Sequence, residues 1–106
     1  MKAIFTKFDN KDIWKDSWVN GTVEDVKTFE FSAKLYDEAS KFGIDNGRVS
    51  KFDMYNEEWK NVAHYDRGWD KKPTQKTKKY FDTAMDLLEN SPKRWQEWED
   101  LNGKIL

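Results

Sequence analysis

The feature that most constrains this chain is a change of hydrophobic period near Lys72-Pro73. Before that point apolar and polar residues alternate, and after it apolar residues recur at helical spacing. Strands first and helices last define an α+β domain with segregated elements. Thr28 to Tyr36 is the clearest strand, with Phe29, Phe31, Ala33 and Leu35 on one face and Glu30, Ser32 and Lys34 on the other. Ser17 to Glu24 precedes it as an antiparallel partner, Arg48 to Tyr55 follows, and Trp59 to Tyr65 hairpins back across Asn56, Glu57 and Glu58. Ala3 to Phe8 reads either as a first short strand or as an arm. The spacing thus predicts a small antiparallel sheet of four to five strands, a meander of hairpins.

From Thr74 the pattern becomes helical. Tyr80, Phe81, Ala84, Met85, Leu87 and Leu88 share one side, and Lys76, Lys78, Lys79, Asp82, Asp86 and Glu89 fill the other. Such a helix covers one face of the sheet and ends at Asn90. Ser91-Pro92 then supplies an N-cap and a proline at the first helical position, opening a shorter helix through about Leu101 that Asn102-Gly103 stops. One domain over residues 1–106 follows, with the sheet at about 1–70 and the helices at about 74–102.

Composition asks what such a domain uses for a core. Apolar residues make up 37% of the chain and charged residues another 37%, against averages of about 45–50% and about 25%. The deficit of aliphatics is offset by 6 Trp, 4 Tyr and 7 Phe, each ring burying on the order of 150–250 Å². The core is therefore expected to be aromatic, with most of the tryptophans in it and Trp14 and Trp69 the candidates for exposure. A formal charge of −1 gives no overall field for nucleic acid or anionic membrane, so nucleic acid is not favoured as a partner. There is no cysteine, no apolar run of membrane-spanning length and no signal-peptide pattern at the start; a cytoplasmic protein is expected.

Chemistry-bearing residues gather in Ser40 to Asp70. The first candidate is SKFGIDNGRVSKF, where glycines flank Ile44 and the cations Arg48 and Lys51 follow. Its spacing matches neither the P-loop nor the dinucleotide fingerprint. As plain structure it is a tight connection with positive φ at both glycines and with Phe42 and Ile44 tucked into the core. The second is HYDRGWD, with His64, Tyr65, Asp66, Arg67, Trp69 and Asp70. Asp66 or Asp70 orienting His64 makes a general base, with Arg48 or Arg67 holding an anion; as plain structure, Asp66-Arg67 is an ion pair or turn cap and Trp69 covers the core edge. No cysteine or motif-placed serine supplies a nucleophile, and no metal or cofactor is expected. Exposed tryptophans would form a platform for stacking bases or sugars. The lysine run Lys71, Lys72, Lys76, Lys78 and Lys79 reads as a solvated face with Lys78 paired to Asp82, or as a local anion patch.

Trp18 and Gly21, then S-x-F-G-I-x-x-G-R-V-S-K at Ser40 to Lys51, then Y-D-R-G-W-D at Tyr65 to Asp70, together resemble an uncharacterised family of small bacterial and mobile-element proteins, a domain of unknown function. The resemblance implies that both motifs belong to one small domain of phage or plasmid origin. It assigns no activity to any position.

Two functions are expected from these residues. One is a non-enzymatic interaction module, an accessory protein whose protein partner docks around Phe42, Arg48, Tyr65, Arg67 and Trp69, since aromatic residues and arginine dominate interface hot spots. The other is a small enzyme or a binder of an anionic small molecule using Arg48, His64, Asp66, Asp70 and Arg67. Lys51 borders either site.

Overall fold

A computed structural model describes residues 1–8, 18–36 and 38–91. Strands β1 (Lys2–Phe8), β2 (Trp18–Glu24), β3 (Thr28–Leu35), β4 (Val49–Tyr55), β5 (Asn61–Asp66) and β6 (Trp69–Lys71) precede helix α1 (Lys78–Glu89). The sheet runs in chain order from β1 to β6 with every neighbour antiparallel. The α+β class and the meander are as the pattern predicts, but the described residues hold six strands rather than four to five. Ala3 to Phe8 belongs to a strand, and β6 lies where the sequence reads as loop. Three residues are too few to show alternation, and β6 exists because β5 offers it an edge.

Alternation sets the two faces. Val19 and Val23 of β2, Phe29, Phe31, Ala33 and Leu35 of β3, Phe52 and Met54 of β4, and Ala63 and Tyr65 of β5 are buried. Gly21 pairs with Phe31, and a Cβ there would collide with the Phe31 ring and the Ile4 carbonyl. Glycine lets the aromatic ring lie directly over the neighbouring strand.

Helix α1 covers this apolar face with Tyr80, Phe81, Ala84 and Leu88. Phe81 stands edge-on to Phe52 at 5.2 Å and to Trp69 at 5.4 Å, and Tyr80 meets Phe29 at 4.4 Å. The core is aromatic, as composition requires; each such ring, fully buried, contributes roughly 1.5–3 kcal/mol. Two tryptophans depart from expectation. Trp69 is packed between Tyr65 and Phe81 rather than exposed, while Trp59 is 70% exposed.

The helix begins at Lys78 rather than Thr74, because Thr74 to Thr77 form a turn in which the Thr77 hydroxyl accepts the Thr74 N–H at 2.9 Å. Lys78 and Asp82 pair at 2.9 Å across one helical turn, as expected of the lysine run. The helix stops at Asn90, where the sequence places its end. Among the described residues α1 is the one α-helix; the shorter helix expected after Ser91-Pro92, and the surroundings of Trp14, lie outside the described residues.

The connection from β3 to β4 is tied by Ser40 N–H to the Gly47 carbonyl at 3.0 Å and closed by a 3-10 turn, Ile44–Asn46. Positive φ falls on Asp45 (52°) and Asn46 (60°), not on the glycines expected to carry it. Gly43 and Gly47 sit at close approaches instead. A Cβ on Gly43 would strike the Gly47 carbonyl, and one on Gly47 would strike the Glu89 carboxylate. Ile44 is buried as expected, but Phe42 is half exposed.

Candidate functional site

Arg48 immediately precedes β4 and turns toward the helix. It is 8% exposed, and its guanidinium donates to the Tyr36 carbonyl at 2.7 Å, the Ser91 carbonyl at 2.7 Å and the Glu89 carbonyl at 3.2 Å. Its backbone N–H donates to both Glu89 carboxylate oxygens, at 2.9 and 3.1 Å. The last carbonyls of a helix have no intrahelical partner and carry the negative end of its dipole. Arg48 satisfies them from outside the helix. Tyr65 and Trp69 also lie on the helix side of the sheet, the Tyr65 hydroxyl donating to the Phe42 carbonyl at 2.8 Å.

The other candidates collect on the opposite face, which the described residues leave uncovered. Residues alternating with Ala63 and Tyr65 point to solvent, which places His64 and Asp66 there, beside Lys51 and Asp53 of β4. His64 faces Asp53 across the β4–β5 pair, its Nδ1 donating to Oδ1 at 2.5 Å. Its Nε2 lies 3.3 Å from the Asp70 carboxylate of β6. Asn61 donates its amide to the same Asp53 oxygen at 3.2 Å. Asp66 sits 3.9 Å from Lys51 and 3.3 Å from the Arg67 Nε, so the Asp66-Arg67 ion pair read from the sequence is present.

The hydrogen bond that His64 donates to Asp53 raises its pKa above 6.5, desolvation opposes the rise, and the charges of Asp53, Asp70 and Asp66 add to it. An imidazolium held at both nitrogens by carboxylates keeps its proton and is a poor general base. The cluster therefore serves charge recognition better than proton transfer. Among the described residues, no three His, Asp or Glu side chains are placed to hold a metal ion.

The structure thus brings together Lys51, His64, Asp66 and Asp70, leaves Arg67 at their edge, and places Arg48, Tyr65 and Trp69 on the other side of the sheet. Two residues escaped the sequence reading. Asp53 faces His64 only through a register shift between Met54 and Tyr55, which counting outward from the β4–β5 turn does not show. Trp59 gave no signal, because a short turn and a strand start read alike in N-E-E-W-K.

Among the described residues, six antiparallel strands in simple succession, one α-helix on one face and a charged cluster on the other define a small α+β meander domain. The chain belongs to the family described as a domain of unknown function, DUF7678, which matches residues 17–89. The match begins beside β2 and ends on the last residue of α1, so both motifs and the helix fall within it. No curated protein and no solved structure matches the chain.

Proposed function

We propose that this chain is a small non-enzymatic binding module, a cytoplasmic bacterial accessory protein whose protein partner docks at the β5–β6 turn, on Arg67 and the charged cluster of Lys51, His64, Asp66 and Asp70. The observation that carries it is Arg67 itself. Its φ is 57° and its side chain is 65% exposed. A non-glycine residue in the left-handed region carries strain of about 1 kcal/mol or more. Folding alone would favour glycine there, so the position supports presentation of a guanidinium, a common interface anchor. The other reading, an enzyme or anion binder, loses support because Arg48 is held on the helix side and carboxylates surround His64.

A test uses Gly68, where an added side chain meets nothing within 4 Å. A photo-crosslinking residue at Gly68 should capture a defined protein from cells of the source organism, and the adduct should vanish with Arg67→Ala. The same probe at Asp82 on the helix should not capture it. An adduct indifferent to Arg67→Ala, or none at all, defeats the reading.

A further inference from the structure

The turn between β4 and β5 carries a second strained residue, at the opposite end of β5 from Arg67. The Asn56 side-chain oxygen accepts the N–H groups of Glu58 and Lys60 at 2.9 and 3.0 Å, and the Asn56 carbonyl accepts that of Trp59 at 2.9 Å. This pattern forces residue 59 into the left-handed region, with φ 63°. Such a turn position ordinarily selects glycine or asparagine. Here it holds a tryptophan, the bulkiest side chain available, with 70% of its surface in water. Neither local conformation nor core packing explains that choice.

Trp59 borders a depression of about 380 Å³ on the uncovered face of the sheet, lined also by Thr6, Asn20, Glu30, Ser32 and Tyr55. Each is positioned by register. Thr6 is the unpaired residue of a β-bulge in β1, a device that re-aims a side chain. Asn20 and Ser32 are cross-strand partners, the hydroxyl donating to the amide oxygen at 2.6 Å. Glu30 and Tyr55 are partners on the next pair. Two aromatic side chains thus border a floor of hydroxyls, an amide and a carboxylate. Among the described residues none that lines it is basic.

This chemistry selects its ligand. Phosphates and other anions would meet Glu30 without a cation, which excludes a nucleic-acid backbone. An apolar group would take water from the Glu30 carboxylate, the Asn20 amide N–H groups and the Thr6 hydroxyl without replacing its hydrogen bonds. A pyranose ring has one face of C–H bonds, suited to the negative face of an indole, and a rim of hydroxyls that donate to carboxylate and amide oxygens and accept from N–H and O–H. The volume is within the range of small-ligand sites, about 300–1,000 Å³.

We propose that this depression is a carbohydrate-binding subsite, in which a neutral pyranose stacks on Trp59 and Tyr55 and hydrogen-bonds to Glu30, Asn20, Ser32 and Thr6. The site goes beyond the docking surface at the β5–β6 turn and stands or falls without it.

The test is a titration followed by two-dimensional NMR of the 15N-labelled full chain, with cellotetraose, maltotetraose and fully N-acetylated chitotetraose as neutral probes and tetramethylammonium as the cationic control. At least one oligosaccharide should give saturable shifts at Asn20, Ser32 and Tyr55 and at the indole N–H signal that Trp59→Gly removes. Trp59→Gly should weaken binding at least tenfold while its melting temperature stays level or rises, because glycine relieves the left-handed strain. Glu30→Gln, which leaves the ring platform intact, should weaken it severalfold. Three results overturn the proposal: no saturable shift with any oligosaccharide, equal binding by Trp59→Gly, or a response to tetramethylammonium alone.

Discussion

The connection from Ser40 to Arg48 and the turn from Asp66 to Trp69 contain similar ingredients, glycine beside arginine with aspartate close by, yet the chain uses them in opposite ways. In the first, the arginine is buried and bound to carbonyls of the helix end, and the glycine before it makes room for Glu89. In the second, the arginine stands in solvent and the neighbouring glycine touches nothing. Side-chain type does not separate a structural arginine from a presented one. What separates them is whether a helix terminus arrives at that point of the sheet.

The largest expected effect follows directly. Arg48→Ala removes a charged donor from several carbonyls at the end of α1 and leaves buried acceptors unmatched, a loss of about 3 kcal/mol or more in urea unfolding. Arg67→Ala should stay within about 0.5 kcal/mol of the parent chain. Equal effects at the two arginines would erase the distinction between the regions.

The glycines give a smaller contrast of the same kind. Gly47→Ala drives a Cβ into the Glu89 carboxylate and loosens its bonds to the Arg48 N–H, costing on the order of 1–3 kcal/mol. At Gly68 the space is open and φ lies outside the left-handed region. Gly68→Ala should therefore be neutral or stabilise by up to about 1 kcal/mol, through a less flexible unfolded chain. Thermal unfolding of the two variants side by side decides it, and a stable Gly47→Ala would show that the helix end is held less firmly than its hydrogen bonds imply.

Much of the fold was legible because alternation in Thr28 to Tyr36 and helical spacing in Tyr80 to Leu88 are long enough to be unambiguous. β6 was not, being three residues with two charges, recruited by the edge of β5. Trp59 was misplaced by a short slip: the sequence starts the strand at Trp59, whereas β5 starts at Asn61, and that shift takes the ring from a strand face to a turn. At the candidate site, His64, Asp66 and Lys51 lie near one another because neighbouring strands of a meander bring them together. Arg48 was not separable from them, because its role depends on where a helix formed thirty or more residues later happens to end. No local pattern encodes that.

The smallest effect concerns the charge on His64, which lies on the uncovered face near the presented arginine. Its folded pKa is raised above 6.5, first by the hydrogen bond to Asp53 and then by the charges of Asp53, Asp70 and Asp66. A group whose pKa rises on folding binds its proton more tightly in the native state. Its contribution to stability is complete below about pH 6.5 and is lost as the pH climbs through the folded value. With the imidazole 39% exposed, solvent screening keeps that contribution small. The chain has one histidine, so its ring proton resonances titrate without overlap from another. The midpoint should lie above 6.5, fall most in Asp53→Asn, and fall less in Asp70→Asn, whose carboxylate is more exposed and 3.3 Å away. A midpoint at or below 6.5 would mean that the two carboxylates do not hold the ring between them, and the uncovered face would lose the fixed charge pattern on which the comparison with the buried Arg48 region depends.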